Sequence, residues 1–257
     1  MTIHKRAHPI VLYIILFVIL PTLAMAQAAT DGRVHSKPDP QRIFHDLLEP
    51  YQSLRDYTVT IKANVKMPAL RIPDFTATLY FKKPDKFHIE TRSFAPIPRG
   101  SGVFNPFLFD PEKNKIAYER SEDMKGTPAQ VFRVDPRQGE TRIRFYNVWI
   151  GGDPRRVLQV ESHSFKGTKT VVRPDYRNVK QGNETWRLPE KIHVHITFPE
   201  GVRSPDSKAL PVRETPFSRG MAGMDDMPGE GDIYIHYSGW RINTGLDDQL
   251  FQKNQRR

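Results

Sequence analysis

Long stretches of this chain alternate apolar and polar residues with the period of two that a half-buried β-strand requires. Tyr57, Val59, Ile61, Ala63, Val65 and Met67 fall on one face, while Thr58, Thr60, Lys62, Asn64 and Lys66 fall on the other. Phe75, Ala77, Leu79 and Phe81 repeat the pattern. A charged turn holding Pro84 and Asp85 follows, and Phe87 and Ile89 then resume the apolar phase. These segments predict an antiparallel meander with one apolar face and one wet face. Further strands are predicted at 116–120, 130–134, 142–150, 157–163, 168–176, 185–198 and 233–242. Gly151-Gly152-Asp153-Pro154 and Gly167 mark turns, and Pro174 and Pro189 are expected to limit regular pairing.

One segment has helical spacing instead. Asp39-Pro40 reads as an N-cap followed by proline at the first helical position. Ile43, Phe44, Leu47, Leu48, Tyr51 and Leu54 then recur at intervals of three and four, which predicts an amphipathic helix over 40–54 that Pro50 kinks or ends.

Two segments break the strand rhythm. Residues 94–111 are rich in Pro and Gly yet carry Phe94, Val103, Phe104, Phe107, Leu108 and Phe109, too aromatic for a solvated loop. Residues 199–231 mix Pro, Gly, Met and charges of both signs and read as a flexible or lid-like insertion. No repeat of solenoid or propeller period is present.

The pattern leaves a covering problem. Eight or nine strands about 4.8 Å apart make a sheet roughly 40 Å wide, whereas one helix is only about 10–12 Å across. The exposed part of the apolar face must be closed by curling of the sheet, by the aromatic segment 94–111, or by an apolar ligand. All three are open at this point.

The N-terminus adds a compartment. His4, Lys5 and Arg6 precede an apolar run over 10–20, Pro21 ends it, and Ala24-Met25-Ala26 fits a cleavage site. The run is shorter than the ~20 residues of a spanning helix, so 1–26 is expected to be a cleaved signal peptide and 27–39 a flexible leader. No cysteine is present, which excludes N-terminal lipidation, disulfides and thiol catalysis and suits a bacterial periplasm. Lys and Arg number 39 against 29 Asp and Glu, an excess of 10, and loss of Lys5 and Arg6 leaves 8. In that compartment nucleic acid is excluded as the partner, and an anionic membrane surface or an acidic protein patch takes its place beside simple solubility.

Four stretches resemble the bacterial lipoprotein-carrier (LolA-like) superfamily, which sorts outer-membrane lipoproteins. They are the helix running into Leu54-Arg55-Asp56-Tyr57, the element Tyr80-Phe81-Lys82-Lys83-Pro84-Asp85-Lys86-Phe87, Tyr146-Asn147-Val148-Trp149-Ile150 before its glycine turn, and Trp240-Arg241-Ile242-Asn243 with Leu246-Asp247-Asp248 to Phe251. The resemblance spans 40–251 and leaves 252–257 as a polar tail. It implies a mainly β, α+β fold: an incomplete antiparallel β-barrel (half-barrel), with an N-terminal helix and a lid segment over a hydrophobic cavity. It further implies a monomeric periplasmic carrier of lipid or lipoprotein acyl chains that meets an inner- or outer-membrane protein. Combined with the strand phase, it makes Val59, Ile61, Phe75, Leu79, Phe81, Phe87, Ile89, Phe104, Phe107, Phe109 and Trp149 the expected lipid-binding residues, with Trp240 a further lining candidate. A sensor or protein-interaction domain on the same fold is the alternative.

Catalytic patterns are missing. Ser162, His163 and Ser164 are adjacent in one strand, and the chain contains no Gly-x-Ser-x-Gly elbow, phosphate-binding glycine loop or zinc helix motif. The expectation is a protein without enzymatic activity or cofactor. The one sharper chemistry is Cu(I): Met221, Met224 and Met227 recur every third residue, thioethers suit that ion, and His195 and His236 become neighbours if their strands pair suitably.

Overall fold

The computed structural model describes residues 38–67, 73–91, 104–137, 143–199 and 229–252. The signal segment, Phe94, Val103, most of the insertion with Met221, Met224 and Met227, and the end of the polar tail lie outside them. The described residues all belong to one compact unit, Lys37–Arg257.

Helix α1 (Pro40–Leu48) starts as the sequence reads: the Asp39 carboxylate accepts from the backbone N–H of Gln41 and Arg42, and Pro40 occupies the first turn. It is shorter than expected. Pro50 cannot donate to a helical ladder, so the chain tightens into a 3-10 turn over Glu49–Tyr51 and then extends. Leu54, expected on the helix, is instead fully buried from the extended link.

Ten strands follow: β1 (Asp56–Lys66), β2 (Phe75–Lys82), β3 (Lys86–Thr91), β4 (Asn114–Met124), β5 (Thr127–Pro136), β6 (Ile143–Gly151), β7 (Arg156–Ser164), β8 (Lys169–Gln181), β9 (Glu184–Phe198) and β10 (Gly229–Ile242). They form a single antiparallel sheet in the order β3-β2-β1-β10-β9-β8-β7-β6-β5-β4, open between its edge strands β3 and β4. The expected half-barrel is thus a long open sheet. A short helix, α2 (Gln249–Gln252), follows β10. Asp248 ties this tail to the β2–β3 corner through Lys82 (2.8 Å) and Lys86 (3.2 Å).

Two sequence boundaries need correction. Pro174 and Pro189 do not limit β8 and β9, which run through both; the register jumps at Glu190, so a bulge absorbs the disturbance. Gly229, Glu230 and Gly231, read as insertion, are strand residues paired with Phe198, Thr197 and Ile196.

The concave face carries the core in two adjoining clusters. The larger unites β1, β2, β9 and β10 with Leu48, Leu54 and Phe107. The smaller packs Ile43 and Phe44 of α1 and Phe109 on Phe132, Val134, Tyr146, Val148 and Ile150. One short segment thus touches both: the 3-10 turn Pro106–Phe109 sends Phe107 into the first cluster and Phe109 into the second.

Candidate functional site

Cross-strand register sets out the concave surface. Tyr57, Val59, Ile61 and Ala63 of β1 stand opposite Phe81, Leu79, Ala77 and Phe75 of β2. Ile61, Ala63 and Val65 face Tyr237, Ile235 and Ile233 of β10. Strict alternation would turn Trp240 to the convex side, since Ile233, Ile235 and Tyr237 already occupy the concave one. A bulge prevents this. Thr60 pairs with Ser238 but Thr58 with Arg241, and Gly239 adopts φ +64°, so the phase shifts by one and Trp240 and Ile242 return to the core. An isolated glycine inside an alternating run is the sequence signal for such a shift.

The bulge assembles an aromatic group. Tyr57 stacks on Phe81 and meets Trp240 edge-on, each at a centroid distance of 5.0 Å, and Tyr237 stacks on Trp240 at 5.7 Å. Above them runs the strap Phe104–Phe109. The Tyr57 hydroxyl donates to the Phe104 carbonyl (2.7 Å), and the Phe104 ring packs between Tyr51 (5.6 Å) and Tyr176 (6.5 Å). Tyr51 donates in turn to the Arg187 carbonyl at 2.7 Å. Burial pushes the Tyr51 phenol up to about 12 and raises Tyr57, Tyr176 and Tyr237 strongly, so all four are neutral hydrogen-bonding groups.

Most of the residues expected to bind lipid come together here. Val59, Ile61, Phe75, Leu79, Phe81 and Phe107 lie in the larger cluster, with Val59, Leu79 and Phe81 each at 0% exposure. Ile89 and Phe104 are partly buried against it, and half-buried Phe87 pairs with Phe81 at the edge. Phe109 sits in the adjoining cluster. Trp149 does not join them. It faces the convex side with Ala129 and Val131, donates to Glu122 Oε1 at 2.5 Å, and has the Arg120 guanidinium 5.8 Å from its ring. The placement follows from parity, because Tyr146, Val148 and Ile150 take the concave positions of β6.

The histidines also lie on the convex face. β9 and β10 do pair, but the register sets Asp232 opposite His195 and Lys191 opposite His236. His195 and His236 are therefore four positions apart along the strands, about 13 Å, and are not neighbours. His193 Nε2 (2.6 Å) and His195 Nδ1 (3.1 Å) both approach Asp232 Oδ1, and His193 stacks on Tyr234 at 4.7 Å. Among the described residues no group of three or more His, Cys, Asp or Glu has metal-holding geometry.

A long antiparallel sheet, open at both edges, with one apolar face capped by an N-terminal helix and an aromatic strap, defines the class. No protein-family model matches the chain, and no curated protein matches it. Solved structures do share the fold. One is a domain assigned to outer-membrane lipoprotein sorting from Vibrio parahaemolyticus: identity 14%, coverage 84% of this chain and 97% of that one, TM-score 0.53. A DUF1329 family protein from Desulfovibrio piger is similar at 13% identity, 86% and 100% coverage and TM-score 0.53. A LolA superfamily protein from Nitrosomonas europaea is similar at 10% identity, 85% and 100% coverage and TM-score 0.53. The fold is therefore LolA-like.

Proposed function

We propose that this chain is a non-enzymatic protein of the bacterial envelope that shelters the acyl chains of a lipid or lipoprotein and passes them to a membrane-associated partner. The observation that carries the reading is the continuous apolar concave face roofed by one short aromatic strap on a LolA-like sheet. The strap is tied by side-chain hydrogen bonds from Tyr57 to the Phe104 carbonyl, Asn105 to the Pro84 carbonyl and Asn114 to the Leu108 carbonyl, and on this reading it is the part a ligand displaces. Each methylene kept from water contributes about 0.8 kcal/mol, and a chain of ordinary length therefore binds firmly without any catalytic group. Release then needs an acceptor of comparable affinity or reclosure of the strap.

On this reading the N-terminal segment is a signal peptide cleaved behind Ala26, and the mature protein works in the periplasm. Among the described residues no helix is long and apolar enough to cross a membrane. Native mass spectrometry of the protein purified from an envelope extract tests the reading. Co-purified lipid or acylated polypeptide is the expected result. A consistently empty chain bound to a non-acylated protein would replace the carrier by a sensor or interaction domain.

A further inference from the structure

One polar atom in the aromatic group has no partner. Trp240 is 8% exposed, and its Nε1 is buried without a hydrogen-bond partner. An indole nitrogen donates only, and leaving a buried donor unmade forfeits its hydration with no return. Nothing about strand packing demands this. A phenylalanine would offer a smaller apolar ring with no donor to satisfy. The fold instead spends a bulge, with Gly239 at φ +64°, to turn Trp240 inward beside Tyr57 and Tyr237.

We propose that the Trp240 indole N–H is the anchor for the carbonyl oxygen of an acyl ester, which enters the concave face beneath the strap. The proposal rests on the acyl-binding reading above and adds the linkage chemistry of the ligand. The donor requires an acceptor. The walls around it are the rings of Tyr57 and Tyr237 and, beyond them, Phe81, surfaces that take hydrocarbon. The acceptor is neutral, because a single indole N–H is an uncharged donor and a carboxylate buried against aromatic rings costs far more than one such bond returns. A second donor stands ready. The Tyr57 hydroxyl is held by the Phe104 carbonyl, so lifting the strap frees it beside Trp240 for the same ester group.

The test compares two probes with the same chain and glycerol head, monopalmitoylglycerol and 1-O-hexadecylglycerol; the ether lacks the carbonyl. The intact protein is expected to bind the ester about five- to tenfold more tightly, the range of one buried hydrogen bond. Trp240→Phe is expected to lose that preference and bind the two equally. Equal affinity of the unaltered protein for ester and ether would overturn the proposal while leaving acyl binding intact, and that arm needs no variant. A preference that survives in Trp240→Phe would overturn it too. Uptake of neither probe by the unaltered protein would remove the acyl-binding reading itself, and the anchor with it.

Discussion

Asn243 ties two distant segments of the chain together with one side chain. Its Oδ1 accepts from the backbone N–H of Arg55 (2.7 Å) and Asp56 (3.4 Å), and its Nδ2 donates to the Ser53 carbonyl (2.9 Å). Its backbone sits at φ +54°, a conformation asparagine tolerates better than most residues. Buried Asp56 answers by accepting from the N–H groups of Thr244 and Gly245 and from the Thr244 hydroxyl. Two of the stretches that carried the family resemblance, Leu54-Arg55-Asp56-Tyr57 and Trp240-Arg241-Ile242-Asn243, are thus the two halves of one clasp. Asn243→Ala is expected to destabilise the protein by on the order of 2–3 kcal/mol in urea unfolding. Asn243→Gly, which keeps the backbone angle, should recover part of that loss. A fully stable alanine variant would remove the clasp from the stability argument.

Asp232 responds to acid. Burial opposes its ionisation, but the hydrogen bonds and charges of His193 and His195 outweigh this and hold its carboxyl below the usual carboxylate range. A depressed acid contributes stability above its unfolded value, near 3.8, and loses it as pH falls through the lower folded value. Asp232→Asn should therefore flatten the stability profile below about pH 4, by less than about 1 kcal/mol at this half-exposed site. An unchanged acid limb in a pH series of thermal melts would contradict it. None of these partnerships was legible in the sequence. A side chain bonded to backbone 188 positions away leaves no periodic trace. The face of Trp149 was legible, since it breaks step with Tyr146, Val148 and Ile150.

At the scale of elements, strands were legible at all ten places, most plainly where one face is buried and the other exposed, as in β1, β2, β9 and β10. Alternation failed where the phase itself changes. The bulge at Glu190 lets β9 continue past Pro189, which read as a limit, and the bulge at Gly239 shifts the phase inside a strand that read as regular. The helix failed at Pro50, where apolar spacing outlasted the backbone geometry able to display it. The strap was visible only as an excess of aromatic residues, and its division between two clusters depends on tertiary packing. Asn105 fixes its start by accepting from the Phe107 N–H (2.9 Å), and the Tyr57 hydroxyl holds its carbonyl side. Ligand beneath the strap should therefore change its opening. Hydrogen exchange over 104–110 is expected to slow when an acyl probe is bound, and Tyr57→Phe is expected to speed exchange there in the empty protein. Identical exchange with and without probe would make the strap a fixed part of the core.

The whole molecule closes its apolar face without closing its sheet. Ten strands in an unbroken order leave β3 and β4 as edges, and the first and last strands, β1 and β10, are neighbours. Helix α2 and Asp248 meet the β2–β3 corner, while Asn243 meets the link that follows α1. The β9–β10 pairing runs up to the ends of both strands, and the connection is expected to be dispensable to it. Phe198 already pairs with Gly229, so residues 200–228 join two strands whose register is set by His193, His195 and Asp232 on one face and Val194, Ile196 and Ile233 on the other. Loop closure becomes easier by about 0.6 kcal/mol for each halving of length. Replacing 200–228 with a four-residue turn shortens the loop by nearly three halvings and is expected to stabilise the protein by up to about 2 kcal/mol, with acyl-probe uptake retained. Urea unfolding measures the first outcome and probe titration the second. A loss of stability would show that the segment packs on the sheet, and retained stability with lost uptake would make it part of the ligand site. A Cu(I) titration of the intact protein against a Met221, Met224 and Met227 triple substitution decides separately whether that segment also holds a metal.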